Sequence, residues 1–326
     1  MCGIAGIFGP TTKSADGLSA TVQHMAEKLA HRGPDDQGVW VDEAAGVAFG
    51  HRRLAVIDLS KDAHQPMVSV DGRYVLNYNG EIYNFRELRS ELIQTGYVFK
   101  SQSDTEVLLA AVTTWGVSEA CSKLNGMFAF ALWDRRDRML SLSRDRLGEK
   151  PLYYAESNGV FLFGSELKAV AAYPGFDRSV DRDVLGLYLR YNYVPAPYCI
   201  YKKAYKLKPG EVLTVVMEDR VPRLHATTFW TARDAVNRGR LRSVIHAEQA
   251  VEQLEQLLRD AVATRMISDV PLGALLSGGI DSTTIVALMQ ELNNRPIKTF
   301  TIGYDESAYD EGARAIAVAN HLGTDH

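Results

Sequence analysis

The chain has 326 residues with an ordinary globular balance of apolar and charged side chains and a formal net charge of −4 at pH 7. A single hydrophobic core stops growing below this length, so about two domains are expected. The charges are evenly scattered and offer no basic stripe for a phosphate backbone, and no apolar run is long enough to span a bilayer, so neither nucleic acid nor membrane is expected as a partner. The start of the chain lacks a positive segment followed by an apolar core, which predicts a cytoplasmic protein. Its cysteines, Cys2, Cys121 and Cys199, are odd in number and in no metal-ligand spacing, which argues against a disulfide framework or a zinc site.

Met1-Cys2-Gly3-Ile4 opens the chain. Trimming of an initiator Met before a small residue would put a thiol and a free α-amine on Cys2, so that nucleophile and base arrive together. Gly3 to Phe8 reads as a strand. Leu18, Val22, Met25, Ala26 and Leu29 share one face of a helix that ends at His31-Arg32-Gly33-Pro34-Asp35. Strand signals return at Gly38 to Val41 and Gly46 to Gly50, and His51-Arg52-Arg53 precedes the apolar run Leu54-Ala55-Val56-Ile57.

Arg73 to Asn77 predicts another strand, leading into Asn79-Gly80-Glu81-Ile82-Tyr83-Asn84. Asn-Gly is a strong signal for a tight hairpin turn, and spacing alone favours that reading. Asn84 can cap the next helix, with Glu87 three residues on and Gly96 as its stop. Asp104 reads first as the N-cap of a second apolar helix. Met127 to Trp133 and Met139 to Ser143 predict a hairpin, as do Tyr153-Tyr154 and Val160 to Phe163 around Asn158-Gly159. Ser165-Glu166-Leu167-Lys168 has the Ser-x-x-Lys spacing of penicillin-binding proteins, but their partner motifs are missing and it is discounted.

The Pro-, Tyr- and Lys-rich stretch from Tyr193 to Pro222 is expected to end the first domain, and Arg238-Gly239-Arg240 to be a linker. Beyond it, Val251, Leu254, Leu257, Leu258, Ala261 and Val262 predict one face of a long helix. A strand at Ala274 to Leu276, a helix at Thr283 to Leu292, a strand at Thr299 to Ile302 and a helix over Ala313 to Leu322 imply a βαβ unit with parallel strands. Between the first strand and its helix lies Ser277-Gly278-Gly279-Ile280-Asp281-Ser282. Two glycines there let backbone N–H groups approach an anion at the positive end of a helix, so phosphate or pyrophosphate is the natural ligand. No Lys follows the glycines, which excludes a Walker A loop.

Taken in order, the Cys2-Gly3-Ile4, His31 to Asp35, Asn79 to Asn84, Ser103 to Glu106, Gly126 to Phe130 and Ser277 to Ser282 motifs resemble the glutamine-hydrolysing asparagine synthetases. The resemblance implies an α+β, four-layer αββα N-terminal-nucleophile domain over residues 2–230, a linker over 231–245, and over 246–326 the start of an α/β, Rossmann-like ATP-pyrophosphatase domain. It implies that Cys2 attacks the glutamine carboxamide, with Asn79 and Gly80 as the oxyanion hole. Arg53 with Leu54, Ala55, Val56 and Ile57 would bind glutamine, and Glu81 and Asp104 would hold its α-ammonium. Leu275 and Ile302 would touch the adenine nucleoside of ATP, and Ser277, Gly278, Gly279, Asp281 and Ser282 its phosphates. Asp281 is also the candidate ligand of magnesium (Mg2+).

The implied reaction passes ammonia to aspartate activated by ATP as β-aspartyl-AMP. Glutamine, aspartate and ATP are then the expected partners, with a second copy of the chain as a homodimer. Members of the family carry a further Ser-Gly-Glu-Gly-type loop downstream, so this chain is expected to be C-terminally truncated and without its acceptor site. Amidation of another carboxylate such as a sugar acid, and a glutaminase-only or non-catalytic remnant, are the alternatives.

Overall fold

The computed structural model describes residues 1–10, 14–241, 246–306 and 310–326, and divides into two compact units, Met1–Leu241 and Arg242–His326. In the first, strand β1 (Gly3–Phe8) is buried along its whole length. Helix α1 (Ala15–Glu27) is capped by Ser14, which accepts from Gly17 N, and buries Leu18, Val22 and Met25 on one stripe. Strands β2 (Asp36–Asp42) and β3 (Val47–Arg53) pair antiparallel. The short β4 (Met67–Val68) leads to the nine-residue β5 (Tyr74–Ile82), and then come α2 (Phe85–Gln94), α3 (Asp104–Trp115) and α4 (Val117–Lys123). The β6 (Gly126–Asp134) and β7 (Met139–Arg144) hairpin follows. Strands β8 (Tyr153–Ser157) and β9 (Val160–Gly164) turn at Asn158 and Gly159, whose φ values of 52° and 79° suit a primed hairpin turn. After α5 (Leu167–Ala171) and α6 (Arg182–Tyr191) the unit ends in β10 (Ala204–Lys206), β11 (Glu211–Glu218), β12 (Val221–Thr228) and α7 (Ala232–Arg240).

Among the described residues these strands form two six-stranded antiparallel sheets, ordered β10-β8-β9-β1-β3-β2 and β12-β11-β7-β6-β5-β4. Ile4, Phe8, Phe49 and Phe163 of the first sheet share one core with Trp133, Leu140, Leu142 and Val215 of the second, so the sheets are stacked face to face. The Phe8 and Trp133 rings meet edge to face at 5.0 Å. Helices α1 and α5 cover the outer face of the first sheet, packing Leu18, Val22 and Val170 against Ala5, Ile7 and Leu162. Helix α3 lies on β5 of the second. The result is an αββα sandwich. Each fully buried side chain of this size contributes about 1.5–3 kcal/mol, and β1, central in its sheet and packed on both faces, is a rigid base for Cys2.

Several expectations change. Asn79-Gly80 is no hairpin turn: it lies inside β5, paired with Ala129 and Phe128, because nine consecutive residues of ladder outweigh a dipeptide signal. Asn84 does not cap α2 with its side chain, which is spent on Lys123 O and Asn125 N at 3.0 and 2.8 Å. The N-cap of α3 is Ser103, accepting from Glu106 N, and Asp104 is the first helical residue. The stretch expected to close the domain instead holds β10, β11 and the start of β12, where Pro222 is tolerated because β12 is an edge strand. Helix α7 occupies most of the expected linker, with none of its residues buried; residues 242–245 of that linker lie outside the described residues.

The second unit contains α8 (Ala247–Arg265), β13 (Gly273–Leu275), α9 (Ile280–Glu291), β14 (Lys298–Phe300) and α10 (Gly312–Leu322). Strands β13 and β14 pair in parallel. Val262 of α8 packs with Leu288, Met289 and Ile297, while Leu276, Val286, Ala315 and Ala319 form a second cluster. The expected α8 stripe is covered only toward its C-terminal end. Val251, Leu254 and Leu257 are 64%, 56% and 67% exposed.

Candidate active site

Cys2 sits half-buried at the entry to β1. Its Sγ lies 3.6 Å from Leu54 O and accepts from Leu54 N at 3.4 Å. Burial pushes the thiol up, while the Leu54 N–H, the chain N-terminus and Arg53 pull it down. The amine, here on Met1, is pushed below its ordinary value chiefly by burial, with Lys150 and Arg32 adding to that effect. Lowering favours the proton-accepting form of the amine, the form that proton transfer from a thiol needs. His51, opposite Ile4 in the ladder, does not take this role. Asn77 spends its Nδ2 on Ala5 O and Gly50 O, so its Oδ1 accepts from His51 Nδ1 at 2.8 Å. Burial holds that imidazole at about 4 and neutral at working pH. It pins the two sheets together.

The register of β5 explains what faces Cys2. Phe128, opposite Gly80, directs its O to Asp145 N at 2.8 Å and its N–H to Asp145 Oδ2 at 3.2 Å, both away from β5. Gly80 is therefore in a non-hydrogen-bonded pair, and its own N–H points outward from the ladder. The flanking N–H groups of the same edge are taken: Tyr78 N donates to Gln65 Oε1 at 2.7 Å and Ile82 N to Asp104 Oδ2 at 3.0 Å. Gly80 N–H lies between them, on the cleft. A Cβ at Gly80 would come within 2.4 Å of Met127 O, so only glycine fits. Asn79 projects on the same face as Asn77, toward the first sheet. It is 1% exposed, and its Nδ2 has no hydrogen-bond partner. An orphaned buried amide is costly and stands ready for an acceptor.

The cleft is lined by Cys2, Arg53, Leu54, Val56, Ile57, Gly80, Glu81 and Asp104 of the expected set. Ala55 and Asn79 are not on its wall, Ala55 because its N–H is turned to Asp35 Oδ2 at 2.9 Å. Gln65, Tyr78 and Thr105 line it too, without any signal in the sequence. Arg53 donates to the carbonyls of Ser60, Ile57 and Asp58, so it also ties down the loop after β3. Asp104 is buried and accepts from Tyr78 OH at 2.8 Å and from Ile82 N; burial pushes its carboxyl up, and those hydrogen bonds pull it down.

Lys150 is a further residue that the sequence did not signal. It is 4% exposed, and its amine interacts with Glu81, Arg32 and Cys2. The loop before it is over-determined. Asp145 accepts from Leu147, Glu149 and Lys150 N–H, and Arg144 donates to the carbonyls of Gly148, Lys150 and Leu207. Burial pushes the Lys150 amine down and the Glu81 carboxylate pushes it up.

In the second unit, Gly278 has φ of +73°, and Ser277 Oγ contacts Ser282 Oγ at 2.9 Å and accepts from Gly279 N at 3.3 Å. Gly279 precedes α9 without a side-chain cap, which leaves the first-turn N–H groups open. Leu275, the last residue of β13, and Ile302, two residues past the end of β14, are 72% and 65% exposed. Asp281 lies in the first turn of α9. Among the described residues no three His, Cys, Asp or Glu side chains gather as a metal site. Magnesium would therefore be held by Asp281 only together with nucleotide phosphates, which is the usual way this ion is bound.

Residues 1–230 match the family model described as glutamine amidotransferase domain. The chain belongs to that family. Residues 253–326 of this amidotransferase match a second model, described as asparagine synthase. Over its full length the chain is 37% identical to asparagine synthetase [glutamine-hydrolyzing] 1 of Bacillus subtilis, covering 49% of that protein. It is 34% identical to putative asparagine synthetase [glutamine-hydrolyzing] 2 of Methanocaldococcus jannaschii, covering 64% of it, and 37% identical to a putative asparagine synthetase of Mycobacterium tuberculosis, covering 51%. The chain thus spans about half to two thirds of these relatives. Among solved structures, the glutamine phosphoribosylpyrophosphate amidotransferase of B. subtilis superposes with a TM-score of 0.50 at 21% identity, covering 70% of this chain and 49% of that one. A structure described as the allosteric regulatory enzyme of purine biosynthesis gives 0.52 at 17%, covering 93% of this chain and 66% of that one. At these identities the two structures support the fold alone.

Proposed function

We propose that this chain hydrolyses glutamine at Cys2 as the ammonia-producing part of an ATP-dependent asparagine synthetase. The observation that carries the reading is the cleft that brings Cys2 together with Gly80, whose N–H points outward from the ladder, while the adjacent Asn79 keeps a buried Nδ2 without a partner. After loss of Met1, Cys2 Sγ forms a bond to the glutamine δ-carbon and its proton passes to the α-amine of Cys2. The oxyanion accepts from Asn79 and Gly80, donors aimed at charge that exists only in the transition state. The amine returns the proton to the leaving nitrogen, ammonia departs, and water then cleaves the γ-glutamyl thioester.

Recognition falls to Arg53 for the α-carboxylate and to Glu81 and Asp104 for the α-ammonium. A bound cation favours the ionised form of Asp104 against the burial that pushes it up. In the second unit the Ser277 to Ser282 loop binds ATP phosphates and Leu275 and Ile302 flank the base. Bound Mg2+ would supply charge neutralisation at those phosphates. Ammonia release from glutamine without ATP, and calorimetric binding of ATP by the same chain, test the two halves separately. Absence of ammonia release from Met1-processed protein would overturn the first.

Arg53→Ala should raise KM for glutamine by roughly 10–100-fold with a smaller change in kcat, and Arg53→Lys should not restore it, because an ammonium has no planar fork. Unchanged KM would refute the assignment. Lys150→Met should act through protonation. Without that cation the amine takes a proton more readily, so its pKa rises and the acid limb of the kcat/KM profile moves to higher pH. Activity in mildly acidic buffer should fall by roughly tenfold and recover in alkaline buffer. A uniform loss at all pH values would mean that Lys150 serves packing alone.

A further inference from the structure

The discounted Ser165-Glu166-Leu167-Lys168 segment returns to the N-terminus in space. Strand β9, which precedes it, pairs with β1. Ser165 Oγ accepts from Ile4 N at 3.0 Å, and Ser165 N donates to Ile4 O at 2.8 Å. Arg32 Nε donates to Cys2 O at 2.9 Å, and its Nη1 donates to Glu166 Oε1, also at 2.9 Å. Lys168 Nζ and His31 Nε2 each lie 2.9 Å from the same carboxylate. The guanidinium is nearly buried, with 7% side-chain exposure, so Glu166 is what compensates its charge.

We propose that Glu166 is a positioning residue of the nucleophile, acting through Arg32: it braces the guanidinium on the Cys2 carbonyl and so fixes the peptide unit that orients the thiol and its amine. The inference rests on the glutaminase reading for its kinetic consequence and on the hydrogen bonds alone for its geometry. Burial works to raise the Glu166 carboxyl, but the hydrogen bonds from Lys168, Arg32 and His31 outweigh it and hold it at about 2. A depressed carboxyl gives stability that is full above its unfolded value and lost only as pH falls through the folded one, so the brace is charged at neutral pH. A displacement of the nucleophile by about 1 Å can cost 10²-fold in rate.

The test compares full-length wild type, Glu166→Gln, Arg32→Met and the double variant in glutamine hydrolysis, with melting temperatures and iodoacetamide alkylation of Cys2 followed by mass spectrometry. Glu166→Gln should lower kcat by roughly 10–100-fold with KM within about threefold. Because it acts through Arg32, the double variant should be no slower than Arg32→Met alone. Additive losses, a wild-type kcat in Glu166→Gln, or a loss that follows melting temperature would overturn the proposal. Should Arg32→Met not fold, Arg32→Lys replaces it, since a lysine cannot span both partners. If wild type releases no ammonia, the glutaminase reading fails separately. The brace is then judged on the Cys2 alkylation rate, which must change in Glu166→Gln and again be non-additive with Arg32.

Discussion

Cys2→Ala should abolish ammonia release from glutamine, with a loss of at least about 10⁴-fold, as when a nucleophile is removed from a unit that acts as one. The fold should survive. Cys2 is in neither of the two core clusters that hold β1, its Sγ hydrogen-bonds with Leu54 backbone atoms, and Ile4 onward holds β1 in place. A small truncation at such a site changes stability by about 0.5 kcal/mol, so the melting curve should coincide with that of wild type. Cys2→Ser should be nearly as inactive, since a hydroxyl is far less ionised than a thiol at the same pH. Substantial glutamine hydrolysis by the alanine variant would remove the nucleophile from the mechanism.

What the sequence made legible follows from which interactions are local. The hairpins of β6 with β7 and β8 with β9 have short turns and period-two alternation, and both are where they were expected. The βαβ unit around Ser277 to Ser282 is likewise local, and its strands are parallel. Tertiary context decided the rest. Asn79-Gly80 looks like a turn until β6 is laid beside it, and Asp104 looks like a cap until Ser103 takes that role and frees the carboxylate for Tyr78. Glu166 gave no signal of its own because its partners, Arg32 and His31, are 134 and 135 residues away. Lys150 is buried through a loop whose carboxylate and guanidinium look like ordinary surface charges in the sequence. The exposed Val251, Leu254 and Leu257 show the converse, a clean helical stripe that nothing among the described residues covers.

Asn79→Ala should lower kcat by roughly 10²–10³, the usual loss for one oxyanion donor. The structure makes its stability cost small or even favourable. In the resting protein the Asn79 Nδ2 is buried with no partner, so removing it deletes a desolvated polar group without breaking a hydrogen bond that it donates. Backbone pairing with Ala129 does not depend on the side chain. A site that holds an unsatisfied donor in the ground state and satisfies it only when the carbonyl becomes an oxyanion stabilises the transition state selectively, which raises kcat rather than tightening substrate binding. KM should therefore stay within about threefold of wild type. Asn79→Asp should be at least as inactive as the alanine variant, since a carboxylate would repel the developing charge. Steady-state kinetics with glutamine, beside thermal melts of both variants, decide the matter. If Asn79→Ala keeps its kcat, the oxyanion assignment is wrong; if it loses activity only in proportion to unfolded protein, Asn79 is a packing residue of β5.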